Sequence, residues 1–374
     1  MLAPGINSSY HSRRILILVC IAWFITKVIC YKLWFADRLF PLVPVADILS
    51  GLPVFLHSAL FFISLTAMLV LLFFPDKKIA VILLLAELFS CSLDQNRWQP
   101  WEYQFLFMLA AIIFLKEEKH LLFACRLILA GIYFFSGLSK LNSAFLHDIW
   151  QNLILRRWLG IGPVGVWVIR AGYLLPLIEM AAGAALLISR TRKPAALAMI
   201  AMHVMILMML GPLGLNMNAV IWPWNIVMLC LLVLLFYKTT FNLANDFFYR
   251  PLAWIILVCW WVLPWLQLGG YWDKYLSSVL YSGGVEQLYI CTNSVAAEKQ
   301  MAVYYEYVSK IVPCSRPLSV FYWGVKEMKT APYPQRRNFN AIIKAWEKKY
   351  PNAGNRYYIY KPGFAYTVRE VKVP

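Results

Sequence analysis

The chain has 374 residues, of which 61% are hydrophobic and only 14% are charged. Soluble domains are typically about 45–50% apolar and about 25% charged. The composition therefore excludes a soluble enzyme, a disordered protein and a nucleic-acid-binding module. The net charge is +17, and in a membrane protein such an excess first indicates basic loops at the cytoplasmic face. The lipid bilayer is thus the first predicted partner.

The apolar runs predict an all-α polytopic membrane bundle of about seven to nine transmembrane helices within a domain spanning residues 1–269. Nine runs are candidates: 15–35, 53–74, 79–93, 104–116, 120–140, 163–189, 195–211, 217–237 and 252–268. The third and fourth runs are short and alternatively form one re-entrant hairpin. The first run exceeds 20 residues and lacks a small-residue cleavage site, so it resembles a signal anchor.

The distribution of Lys and Arg predicts the orientation. With the N-terminus in the cytoplasm, the inner loops hold eleven basic residues and the outer loops four, as the positive-inside rule requires. We therefore expect a multi-pass protein of the cell membrane with a cytoplasmic N-terminus. An odd number of spans places the C-terminal domain outside the cytoplasm.

Residues 270–374 differ in composition from the rest and carry +8 of the net charge. Their patterning predicts a small α+β extramembrane domain, with strands at 286–292, 318–322, 356–360 and 365–373 and helices at 296–311 and 338–350. Residues 271–281 are predicted to form an amphipathic helix at the outer interface. No His follows position 203, so we interpret the domain as a structural cap or a docking site for an envelope protein or peptide.

The eight cysteines give little sign of metal or redox chemistry. Six lie in apolar runs, where cysteine usually acts as a small hydrophobic residue. No CxxC pair is present, so we predict neither a zinc site nor a redox-active dithiol. Cys291 and Cys314 are candidates for a structural disulfide if their domain is exported.

Polar residues inside a bilayer are costly and usually face a partner or a cavity. Glu87, Arg126 and Glu179 lie near the middle or inner half of their runs and are interpreted as a buried network that pairs internally. Lys140, His203 and the polar loops 94–103, 211–218 and 222–225 lie nearer the outer face. They predict a polar pocket that opens outward, beneath the C-terminal domain.

Lys140 ends an aromatic segment, Ile132-Tyr133-Phe134-Phe135-Ser136-Gly137-Leu138-Ser139. An apolar, aromatic pocket disfavours the charged form of lysine, and a neutral amine can act as a general base. The alternative is a lysine that extends to the membrane interface. His203 is likewise either a site residue or a core histidine bonded to a carbonyl.

The stretch Gly137-Leu138-Ser139-Lys140-Leu141-Asn142 resembles the lysine motif of vitamin K-dependent gamma-glutamyl carboxylases and of their bacterial relatives, the horizontally transferred transmembrane (HTTM) proteins. It departs from that motif at Ser139 and Asn142. The 93–101 loop and the helix around His203 are also similar to HTTM features. The resemblance implies a multi-pass fold, a base at Lys140 and a reduced, vitamin K-like quinone as cofactor. The tail of 105 residues is too short for a carboxylase's external domain.

Two functions follow as expectations. The first is an enzyme or redox partner acting on a quinol-like or lipidic substrate, with Lys140 as base and Asp94, Arg97 and His203 orienting the substrate. The residues expected around the quinone ring are Trp101, Trp224 and Asn225. The second is a non-catalytic membrane scaffold or assembly factor whose C-terminal domain docks an envelope protein.

Overall fold

The computed structural model describes residues 10–237, 245–305, 312–314 and 316–373, and most of them are helical. The helices before the C-terminal sheet are α1 (Tyr10–Ile29), α2 (Phe55–Phe73), α3 (Lys77–Leu93), α4 (Pro100–Phe114), α5 (Glu118–Ser139), α6 (Val166–Ala171), α7 (Leu174–Ala185), α8 (Arg192–Leu210), α9 (Ile221–Leu232), α10 (Pro251–Leu257) and α11 (Leu263–Leu266). A helical turn, Tyr31–Trp34, follows α1, and π-helical segments form Phe145–Trp158, Val233–Tyr237 and Val258–Val262.

Five helical stretches in the described chain are long and apolar enough to cross a membrane: Phe55–Phe73, Glu118–Ser139, Val166–Ala185, Arg192–Leu210 and Pro251–Gly269. Two shorter apolar helices are Pro100–Phe114 and Ile221–Tyr237. A mostly helical membrane protein is thereby confirmed. The larger number of spans stays a prediction, and so does the orientation of the termini.

Two helical features differ from the sequence expectation. The 163–189 run is divided at Gly172 into α6 and α7. The π-helix Phe145–Trp158 was not predicted, because Asp148, Arg156 and Arg157 interrupt its apolar pattern. This π-helix lies between α5 and α6 and borders the two cavities described below.

The C-terminal region contains a four-stranded antiparallel sheet of order β2-β1-β3-β4. Its elements are β1 (Gln287–Cys291), α12 (Val295–Gln300), β2 (Leu318–Ser319), α13 (Val320–Met328), α14 (Arg336–Lys349), β3 (Arg356–Lys361) and β4 (Thr367–Val371). Tyr289 pairs with Tyr358 in the register of β1 and β3. α14 buries Phe339, Ile342 and Trp346 at helical spacing beneath the sheet.

Most predicted elements of this region are confirmed, with three differences. The strand predicted at 318–322 has only two residues, because the Ser319 hydroxyl accepts a hydrogen bond from the Tyr322 amide (3.2 Å) and begins α13. The amphipathic helix at 271–281 is wrong, since one short turn, Tyr275–Ser277, occurs there. The helix predicted at 296–311 is confirmed as far as Gln300, and its residues 306–311 lie outside the described part of the chain.

A disulfide joins Cys291, at the end of β1, to Cys314. The bond closes a loop with a sequence separation of 23. Such a loop restricts the unfolded chain, and its closure typically contributes about 3 kcal/mol to stability. The candidate disulfide of the sequence is therefore present.

Replacing both Cys291 and Cys314 by alanine should lower the free energy of unfolding of the sheet region by about 3 kcal/mol. Denaturant-dependent proteolysis at sites in the sheet region measures this change. Cys230→Ala is the matched control, because Cys230 is an exposed free cysteine on α9. A change as small as that of Cys230→Ala would contradict the prediction.

The sheet region is attached to the helical bundle through polar contacts. The Glu327 carboxylate of α13 accepts hydrogen bonds from the amides of Leu39 (2.6 Å) and Phe40 (2.9 Å). The Tyr333 amide donates to the Asn96 side chain at 3.0 Å. The ring of Phe40 packs on Trp323 with centroids 4.8 Å apart. These contacts hold the sheet region over two segments, the one that precedes α2 and the one that connects α3 to α4.

Candidate functional site

A cavity of about 330 Å³ lies among α5, α7, α8 and α9, bordered by the π-helix Phe145–Trp158. That volume falls in the range of small-molecule sites. Its walls are mostly apolar, and five methionines contribute to them: Met199, Met202, Met205, Met209 and Met228. Methionine adapts its shape easily, so such walls suit a flexible apolar ligand.

Two glycines bring α5 and α7 unusually close together. A Cβ atom on Gly137 of α5 would lie 2.5 Å from the Met180 amide nitrogen. A Cβ atom on Gly183 of α7 would lie 2.5 Å from the Phe134 amide nitrogen. Small residues at helix crossings permit this backbone approach in membrane bundles. The crossing places the end of α5 beside Glu179.

The ammonium group of Lys140 makes three hydrogen bonds at the polar end of the cavity. It donates to the Glu179 oxygens at 2.7 Å and 2.9 Å and to the Ser136 hydroxyl at 2.7 Å. The side chains of Lys140 and Glu179 are 13% and 8% exposed. An ammonium whose three hydrogens are all donated has no lone pair to accept a proton. This geometry fits an ion pair that orients neighbouring groups better than it fits a general base.

A second polar chain crosses the same cavity. The Asn225 amide donates to the Ile221 carbonyl (2.8 Å), so its oxygen faces His203 Nδ1 at 2.7 Å. Nδ1 must therefore carry a proton, and in the neutral tautomer Nε2 accepts from the Tyr133 hydroxyl at 2.7 Å. The Tyr133 oxygen keeps lone pairs, and the Ser136 hydroxyl keeps its proton, for a bound molecule.

Four of the seven predicted site residues line this cavity: Lys140, His203, Trp224 and Asn225. The Trp224 indole donates to the Gln104 side chain at 2.7 Å, which fixes its ring at the wall. The other three predicted residues, Asp94, Arg97 and Trp101, are not among the cavity-lining residues. The seven residues predicted from the sequence to form one site therefore lie in two separate parts of the helical bundle.

Asp94 and Arg97 belong to a buried polar network between α2, α3 and α4. Asp94 pairs with Arg38 and accepts from the Asn96 side chain at 2.9 Å. Arg97 contacts His57 Nδ1 at 2.8 Å and donates to the carbonyls of Ser90 and Trp34, each at 2.9 Å. These bonds shape the 94–99 segment on which the sheet region rests.

The structure also corrects two interpretations of buried residues. Trp101 is 2% exposed and packs edge-on against Trp34 (centroids 6.3 Å apart), so it is a core residue. Glu87 pairs with Lys27 (2.8 Å) and Glu179 with Lys140. Arg126 donates to the Leu235 carbonyl at 2.9 Å. The internal pairing expected among Glu87, Arg126 and Glu179 is therefore wrong, because their helices place them in different parts of the bundle.

Tyr133, Ser136 and Glu179 line the cavity but were not predicted as site residues from the sequence. Tyr133, Ser136 and Lys140 follow one another at steps of three and four, which places them on one face of α5. That spacing was readable in the sequence. Glu179 was not assignable, because its partner lies 39 positions away and the helix crossing alone brings the two together.

Glu117, His120 and Asp246 form a separate cluster whose ligand atoms lie within 4.8 Å of one another. Lys119 Nζ lies 2.6 Å from Asp246 and 3.3 Å from Glu117, and Arg250 lies 2.9 Å from Glu117. The hydrogen bond from Lys119 lowers the pKa of Asp246 to about 2. The carboxylates already have cationic partners, so we interpret the cluster as a surface ion-pair network.

A protein-family model described as "Methylamine utilisation protein MauE" matches residues 118–220. The match covers 103 of the 374 residues and contains α5, α6, α7 and α8. It thus includes Tyr133, Ser136, Lys140, Glu179 and His203, while Trp224 and Asn225 lie just beyond it. No curated protein and no solved structure matches the chain.

This match overturns the resemblance proposed from the Lys140 segment. The matching family is MauE, a different family from the HTTM proteins and the vitamin K-dependent carboxylases. A six-residue motif with two departures, at Ser139 and Asn142, was too short to identify a family. The carboxylase-like function is therefore wrong as well. The apolar helices and the match together support a membrane protein.

Proposed function

We propose that this chain is a multi-pass membrane protein whose cavity binds a lipid-soluble amphipathic molecule of quinone type. The observation that carries the proposal is the pairing of apolar, methionine-rich walls with two fixed polar groups: the Lys140–Glu179 ion pair and the Tyr133–His203–Asn225 chain. The Ser136 hydroxyl as donor and the Tyr133 oxygen as acceptor suit the carbonyl and hydroxyl groups of a quinone and its reduced form.

The position of the cavity supports entry from the lipid. Its lining includes Ile178 of α7, which is 53% exposed, and Ala201 of α8, which is also exposed. Both helices belong to stretches apolar enough to span a membrane. A ligand dissolved in the bilayer therefore reaches the cavity without crossing water.

The family match lends this site further support, because the MauE model covers the helices that carry its ion pair and its histidine. The name of that family refers to methylamine utilisation. For this chain the match supports only a membrane protein in which residues 118–220 resemble that family. A cytoplasmic N-terminus, an extracytoplasmic sheet region and an envelope protein or peptide as its partner are further parts of the proposal.

Filling the cavity should weaken ligand binding. In Ala198→Trp the new ring occupies the cavity, since Ala198 lines it. We expect the affinity for a butyl-substituted benzoquinone, measured by equilibrium dialysis in detergent, to fall at least about tenfold, equivalent to about 1.4 kcal/mol. Endogenous quinone detected by mass spectrometry of the purified protein should disappear in the same variant.

The neighbouring substitution Leu197→Trp is the matched control, because Leu197 is 53% exposed and does not line the cavity. It should bind the benzoquinone as the unchanged protein does. Tyr133→Phe removes one hydroxyl and should weaken binding by about 1 kcal/mol. Equal binding by Ala198→Trp and Leu197→Trp would show that the quinone occupies another place.

A further inference from the structure

A second cavity, of about 340 Å³, lies between the helical bundle and the sheet region. Its walls are again largely apolar and include Val320, Phe321 and Val325 of α13 together with Pro332 and Pro334. The two cavities have three residues in common: Ile149 of the π-helix, Leu280 and Tyr281. Only a thin wall of side chains therefore separates them.

The backbone at this wall is strained. Tyr281 has φ +49°, a left-handed conformation that is rare for a bulky residue and costs about 1–3 kcal/mol. Its hydroxyl accepts a hydrogen bond from the side chain of Asn218, which is itself left-handed with φ +54°. Backbone strain of this kind is retained where the surroundings enforce it, and it clusters at ligand sites and switches.

The first cavity is closed at the end formed by Met199 and Met228, whereas its end toward Tyr281 is not closed in this way. Met199 and Met228 are each 1% exposed and are packed into the core. Ile149, Leu280 and Tyr281 are only half-buried. A ligand whose ring contacts Ser136 and Tyr133 therefore has room for a chain in the direction of the second cavity.

We propose that the two cavities form one site for a single ligand, with the polar ring in the first cavity and an isoprenoid or acyl chain passing Tyr281 into the second. This inference rests on the proposed function and adds the length and direction of the ligand. The two cavities meet at three side chains, Ile149, Leu280 and Tyr281, and are apolar on both sides of them, which favours an alkyl chain over a peptide. The sheet region then selects ligands by chain length.

Photolabelling with two benzoquinones tests this inference on the full-length protein in detergent. Both probes carry a diazirine at the end of the alkyl chain, which is butyl in one and tetradecyl in the other. The short probe should label α8, and the long probe should label residues 320–339, as mapped by peptide mass spectrometry. Long-probe label confined to the bundle helices, or spread over detergent-facing residues, would overturn the inference.

Val325→Trp fills the second cavity, because Val325 lines it. Labelling of residues 320–339 by the long probe should then fall about tenfold, while labelling of α8 by the short probe stays unchanged. The matched control is Val295→Trp, at a residue that is 79% exposed and lines neither cavity. Undiminished long-probe labelling in Val325→Trp would also overturn the inference.

The two proposals fail in different ways. If the first cavity does not bind quinones, the short probe labels no cavity residue. The Ala198→Trp substitution then reduces the labelling by neither probe. If only the two-cavity site is wrong, the short probe still labels α8 and the long probe misses residues 320–339. Labelling of 320–339 by a photoreactive apolar peptide, with none by the long quinone, would indicate a peptide site instead.

Discussion

Lys27→Met is expected to destabilise the protein by about 3–5 kcal/mol, the usual cost of removing one partner of a buried ion pair. Lys27 of α1 and Glu87 of α3 lie 2.8 Å apart, and neither side chain is exposed. A second buried carboxyl, Glu102 of α4, is close enough to Glu87 to interact with it electrostatically. Without the ammonium group, Glu87 is left as an uncompensated charge or must take up a proton.

Thermal unfolding in detergent, followed by the fluorescence of the buried tryptophans, measures this loss. The double variant Lys27→Met/Glu87→Leu is the matched control, because replacing both partners of a buried pair by apolar residues is often nearly neutral. It should recover most of the stability lost in the single variant. A double variant as unstable as Lys27→Met would mean that packing, and not charge, sets the cost.

Gly137→Val is expected to separate α5 from α7 and to disrupt the first cavity. The added Cβ atom would lie 2.5 Å from the Met180 amide nitrogen and 2.6 Å from the Pro176 carbonyl oxygen. Both contacts are with backbone, which cannot rotate away as a side chain does. Overpacking of this kind typically costs about 1–3 kcal/mol. Movement of α7 also withdraws Glu179 from Lys140, so quinone binding should fall together with stability.

The matched control is Gly162→Ala, because a Cβ atom at Gly162 meets no atom within 4 Å. Unfolding temperature and dialysis binding are measured for both variants. Gly162→Ala should leave both unchanged. Normal binding by Gly137→Val would show that the close helix crossing is not needed to assemble the site.

The sequence predicted the helices well because their signal is local. Runs at 53–74, 120–140 and 195–211 correspond to Phe55–Phe73, Glu118–Ser139 and Arg192–Leu210. The π-helix Phe145–Trp158 was not predicted, because its mixture of polar and apolar residues resembles that of a loop. Strands β1, β3 and β4 were recognised from their composition and alternation, although no pattern in the sequence specified their order in the sheet.

The site was predicted less completely, because it depends on which helices meet. Lys140, His203, Trp224 and Asn225 were found as polar or aromatic residues within apolar runs, and they do line one cavity. Asp94 and Arg97 share the same character but lie on the segment between α3 and α4. The position of a residue along its helix was readable from the sequence, whereas its lateral position around the bundle was not.

The attachment of the sheet region has a consequence for biosynthesis. The amides of Leu39 and Phe40 are paired by Glu327, which leaves the ribosome nearly three hundred residues later. The Asn96 side chain likewise lacks its hydrogen-bond donor until the Tyr333 amide has been synthesised. Throughout translation of the intervening helices, these polar groups have no access to their native partners. A nascent chain halted after its last membrane helix therefore presents the Leu39 and Phe40 amides and the Asn96 side chain without their native partners.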